Sequence, residues 1–102
     1  MNMNELTTRI EDWAIVRELD IADPNKQMLK LFEEIGELAE GLAKGKPDDI
    51  EDAIGDTFVV LTILSMQLGL DIRTCVQTAY NEIKSRNGRM VNGVFVKEDD
   101  LR

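Results

Sequence analysis

The chain has 102 residues, 43% of them hydrophobic and 31% charged, with a formal net charge of −8. That is one small domain with enough apolar content for a core, which argues against disorder, and too acidic to expect a nucleic-acid backbone as partner. Histidine is absent and Cys75 stands alone, which removes imidazole catalysis, Ser-His-Asp triads, the common zinc ligand sets and any internal disulfide, and fits a reducing cytoplasm.

The polar stretch from Met1 to Arg9 carries no apolar signal region. A first helix is predicted over about 4–19 from the stripe Leu6, Ile10, Trp13 and Ala14. A lone Trp on such a stripe is read as a core anchor ahead of a base-stacking ring. Asp23-Pro24-Asn25 ends this helix, because proline disfavours helical geometry in the residue before it. A second helix over about 26–44 closes at Gly45-Lys46-Pro47. The third runs over about 49–68, with Asp48 and Asp49 where acids favour a helix N-terminus. From Phe58 it is apolar nearly all round, as a surrounded helix is. Thr62, Ser65 and Gln67 interrupt that stretch, which is too short to span a bilayer, so no membrane is expected. Gly69-Leu70-Asp71 turns into a fourth helix over about 71–86, where Cys75 reads as a small core residue. Beyond Asn87-Gly88 the period becomes two, and Met90-Val91 and Val94-Phe95-Val96 flank Asn92-Gly93, a hairpin signal over about 89–97. The expected fold is an all-α antiparallel four-helix bundle in one domain, 1–102, with a short C-terminal β-hairpin or arm. A third helix apolar on every side needs more cover than four short helices give, so oligomerisation is expected to complete it.

Glu33-Glu34-Ile35-Gly36-Glu37 on the second helix is answered by Asp52-Ala53-Ile54-Gly55-Asp56 on the third. Residues three and four apart share a helix face, so antiparallel packing aims about four carboxylates at one point. Acid-rich faces are usually solvated, and Glu33 and Glu40 fit that reading. Glu34, however, borders the apolar centre formed by Leu31, Ile35, Leu38 and Leu42, and Asp56 lies on the stripe of Val59, Val60 and Ile63, with Asp52 one turn earlier. A carboxylate aimed into packed structure needs a cation, a partner or a proton. Lys30 is the nearest base on that flank, and a salt-bridged core is one solution. Acids outnumber lysines there, which favours a hard divalent cation, hence magnesium and phosphate chemistry. Lys84, Arg86 and Arg89 concentrate positive charge in an otherwise acidic chain, and Arg forks suit phosphate oxygens.

Lys30-Leu31-Phe32-Glu33-Glu34-Ile35-Gly36-Glu37-Leu38-Ala39-Glu40, followed by Asp52-Ala53-Ile54-Gly55-Asp56, resembles the MazG-like nucleoside triphosphate pyrophosphohydrolases of the all-α NTP pyrophosphatase superfamily. Their pattern is EExxE and then ExxD on the next helix. The likeness extends to the stretch from Ala79 to Arg86 and the tail from Asn92 to Lys97, and is strongest to the short single-domain type of phages and bacteria. What it implies is Mg²⁺-dependent cleavage, with Mn²⁺ as substitute, of a (d)NTP to (d)NMP and pyrophosphate in nucleotide-pool housekeeping. Glu34, Glu37, Asp52 and Asp56 would hold the metal, and Glu33 or Glu34 would orient and deprotonate the water. Lys30, Asn81, Lys84 and Arg86 would bind the nucleotide, in a homodimer or homotetramer. One departure stands out: the family's ExxD glutamate falls at Ala53, and Asp52 is read as a shifted ligand. Two other readings stay open, a narrower dUTP- or dCTP-directed pyrophosphatase and a silent helical module that binds nucleotide or a partner. A purely structural dimerisation bundle is a third.

Overall fold

The computed structural model describes residues 1–101. Its described helices are α1 (Met3–Val16), α2 (Pro24–Lys44), α3 (Pro47–Gln67) and α4 (Ile72–Ile83), followed by an antiparallel hairpin of β1 (Gly88–Val91) and β2 (Val94–Lys97). The expected all-α class with a small C-terminal hairpin is what forms. Two compact units divide the chain after Ile72. The first holds α1 to α3 and a 3-10 turn at Leu19–Ile21, and the second holds α4, the hairpin and a closing 3-10 turn.

Local chemistry sets the helix ends, and explains where they depart from the sequence pattern. Asn2 caps α1, its side chain accepting from the Glu5 amide at 2.8 Å. The helix stops at Val16, short of the expected Leu19, because Glu18 adopts a left-handed conformation (φ 60°). Both proline signals mark starts as well as stops. Pro24 and Pro47 occupy first-turn positions of α2 and α3, where the missing amide hydrogen costs nothing. Asp23 caps α2 by accepting from the Asn25 amide at 2.9 Å. Gly45 ends α2 at φ 63°, as its position indicates.

In the first unit α3 packs on both α2 and α1. Ala14, Ala53, Val60 and Ile63 are buried there, with Thr62 and Ser65 among them. The hydroxyls that interrupt the apolar run satisfy themselves along the helix. Thr57, Thr62 and Ser65 donate to the carbonyls of Ala53, Phe58 and Leu61 at 2.7–2.8 Å. At the α2–α3 turn a Cβ on Gly41 would stand 3.2 Å from Ile50 Cγ1, so glycine there permits the close approach. No single helix is long and apolar enough to cross a membrane.

In the second unit Asn92 and Gly93 both take positive φ (52° and 81°), the two-residue turn that Asn-Gly favours. The register pairs Val91 with Val94 and Met90 with Phe95.

Candidate metal and nucleotide site

The acidic segments of α2 and α3 meet. One oxygen from each of Glu34, Glu37 and Asp56 lies within 4.8 Å of the others. Spacing of three on α2 presents Glu34 and Glu37 together, and the stripe that carries Val60 and Ile63 into the core carries Asp56 to the same place. Glu34 is only 8% exposed, Asp56 is half-buried and Glu37 is exposed. The cluster therefore grades from dry to wet.

Its electrostatics are those of a site held open against repulsion. Burial raises the Glu34 pKa above its ordinary value, and the charges of Glu37 and Asp56 and a hydrogen bond with Glu37 add to this. Burial likewise raises Asp56, reinforced by the charge of Asp52, a hydrogen bond with it, and the charge of Glu37. Lys30 opposes both shifts without reversing either.

Three features fit a hard cation. The donors are all oxygens, which suits a hard divalent ion, they lie within 4.8 Å of one another, and the buried Oε2 of Glu34 has no hydrogen-bond partner. An unpaired buried carboxylate oxygen is costly, and a metal ion is what such an atom lacks.

The other expected residues divide. Asp52 is exposed and engages Asp56, standing beside the trio. Lys30 lines the same cavity as Glu34 and Asp56 and pairs at 3.6 Å with Glu33; both partners of that pair are exposed, and Glu33 lies outside the trio. Asn81, Lys84 and Arg86 belong to the second unit, and the trio assembles without them. Asn81 accepts there from Gln77 at 3.1 Å, and Arg86 lines a hollow with Lys97 and Glu98.

A cavity of about 500 Å³ opens beside the cluster, and Glu34 and Asp56 form part of its wall. Val59, Val60, Ile63 and Leu19 make it largely apolar. Trp13 stands in this wall at 47% exposure, which corrects the core-anchor reading. The stripe that aims Trp13 inward meets an open cavity, and Arg17 covers the ring at 4.2 Å from its centroid. Glu37 and Asp52 also border a second hollow of about 260 Å³ with Lys44 and Lys46. Those lysines, like Gln27 and Gln67 in the apolar cavity, were missed from the sequence. The spacing of seven between Glu37 and Lys44 was the signal available for one of them.

A family model, that of the MazG nucleotide pyrophosphohydrolase domain, matches residues 22–91, a span that includes α2, α3 and every carboxylate of the cluster. The chain belongs to this family. Among curated proteins, an uncharacterized 18.2 kDa protein from the rep–hol intergenic region of Haemophilus phage HP1 is 49% identical over 71 residues. That match takes in 69% of this chain and 44% of the phage protein, so the chain spans less than half of the relative's length. No solved structure matches the chain. Within this MazG domain Ala53, at the place of the ExxD glutamate, is a core residue at 2% exposure.

Proposed function

We propose that the chain is a Mg²⁺-dependent nucleoside triphosphate pyrophosphohydrolase, converting a (d)NTP and water to (d)NMP and pyrophosphate. One observation carries the reading: in a MazG domain, Glu34, Glu37 and Asp56 converge around a buried, unpartnered carboxylate oxygen.

Glu34, Glu37 and Asp56 would hold the ion, with Asp52 steadying Asp56 from the next turn. When bound, Mg²⁺ (or Mn²⁺) supplies charge neutralisation at the phosphates and lowers the pKa of a coordinated water. Glu33 is a carboxylate outside the trio, one residue from Glu34 and four from Glu37, and we assign it to take the proton from the attacking water. Its exposed ion pair with Lys30 is easily given up. Lys30, at the cavity wall, and Lys44 and Lys46, beside Glu37, offer positive charge to phosphates that must approach an acidic cluster. The apolar cavity with Trp13 accepts the base and sugar. For Asn81, Lys84 and Arg86 the family resemblance implies contact with the nucleotide, with Asn81 at sugar or phosphate.

The test is a Mg²⁺-dependent assay over the canonical NTPs and dNTPs, with products separated by ion exchange. Monophosphate plus pyrophosphate, abolished by Glu37→Gln and Asp56→Asn, is the expected result. Diphosphate plus orthophosphate sinks the α–β assignment.

Ala53 supports a second reading, a nucleotide-binding module without turnover, because alanine supplies no fourth ligand. Mg²⁺-dependent thermal stabilisation with no hydrolysis over the whole panel would favour it, and Ala53→Glu would be the variant to make.

A further inference from the structure

Like Glu34, Gln67 near the end of α3 carries a buried, unpartnered oxygen in the wall of the apolar cavity. Its Nε2 donates to the Leu19 carbonyl at 2.9 Å, which fixes the amide's orientation, since the flipped form would set oxygen against oxygen. The same bond leaves Oε1 buried with no partner of its own. Gln27, in the same wall, is tied in the same sense, its Nε2 donating to the Val60 carbonyl at 3.2 Å. The cavity's two amides thus have their nitrogens turned to the main chain. Lys26 and Lys30 also line it, but both are exposed and remain solvated.

Resting on the reading of this cavity as the base site, we infer that Gln67 makes the site selective for nucleobases that carry an exocyclic amine. Oε1 is shielded from water, so solvent does not satisfy it, and burial of a flat ring must shift its surroundings enough for a donor to reach it. An exocyclic amine projects from the ring edge and brings a hydrogen to this acceptor. An oxo group at the same position brings a second acceptor against Oε1 and leaves both unpaired, the arrangement that discriminates most strongly between otherwise equal ligands. Gln67 therefore acts on base choice and not on the chemical step.

Two ligand pairs differ at that group and in the hydrogen on the adjacent ring nitrogen, CMP against UMP and AMP against IMP. Their affinities for the full chain, measured calorimetrically with Mg²⁺ present, test the inference without requiring turnover. The expected result is tighter binding of the amino member of each pair, by about three- to tenfold, and loss of that ratio in Gln67→Met with circular dichroism unchanged. Equal binding within the pairs, tighter binding of the oxo members, or no binding of any of the four overturns the inference on the native chain alone. A ratio that survives in folded Gln67→Met overturns the role of Gln67. Absence of hydrolysis with an intact amine preference would instead remove the pyrophosphohydrolase reading and leave this one standing.

Discussion

A carboxylate with one oxygen buried and unpartnered destabilises the fold that holds it, and Glu34 is such a group. Glu34→Gln removes the buried charge at nearly constant shape, so the metal-free variant should be more stable than the native chain by about 1 kcal/mol or more, seen as a rise in thermal midpoint of several degrees. The same change should erase stabilisation by Mg²⁺. A variant that melts lower without metal would show that Glu34 is already satisfied. The pH dependence has a definite sign. Glu34 and Asp56 hold protons more tightly folded than unfolded, so the metal-free fold gains from their protonation. That gain is full below the ordinary carboxylate range and is lost as pH rises through the elevated folded values. In a chelator, stability should therefore fall as pH rises across this window. With saturating Mg²⁺ the slope should reverse, because the ion binds only the deprotonated groups. Thermal melts at several pH values, with and without the ion, check both limbs, and a metal-free curve that rises with pH contradicts the placement.

At the scale of elements, α2 and α3 form the scaffold, and its tightest joint is Gly41 against Ile50. Gly41→Val should overpack that contact and cost about 1–3 kcal/mol in urea unfolding. A neutral result would mean that the turn relaxes freely. Much of this level was legible beforehand. The spacing of Glu34 and Glu37, and of Asp56 with Val60 and Ile63, is a property of helical period alone, so the convergence of acids could be read from the string. The turn at Asn92-Gly93 was equally plain. Other features were not legible. Pro24 and Pro47 mark stops and first turns with the same letter, and only the capping geometry tells which. The end of α1 depends on Glu18 adopting positive φ, which no residue preference announces. Trp13 sits on the inward stripe of its helix, yet what that stripe faces depends on how far apart α1 and α3 stand. Gln67 is an ordinary polar interruption in sequence, and its unpartnered oxygen follows from a main-chain carbonyl 48 positions away.

Over the whole molecule, the remaining question is what covers the apolar surface. Leu29, Phe32 and Leu42 on α2 are each more than 60% exposed, which is expensive to leave in water. We propose that these exposed side chains pair with another copy of the chain, in keeping with the homodimer or homotetramer that the family resemblance implies. Sedimentation should then report a species above the 11.5 kDa of one chain, and Phe32→Glu should shift it to the monomer. A native chain that sediments as a monomer would remove the proposal. The proposed function turns on Glu34, Glu37 and Asp56, which would hold a Mg²⁺ ion where water is added to the α-phosphorus of a nucleoside triphosphate. Hydrolysis in ¹⁸O-labelled water, with each product weighed by mass spectrometry, tests it most directly. The expected result is label in the nucleoside monophosphate, unlabelled pyrophosphate, and loss of both products in Asp56→Asn. Label in pyrophosphate or orthophosphate, or turnover untouched by Asp56→Asn, would contradict it.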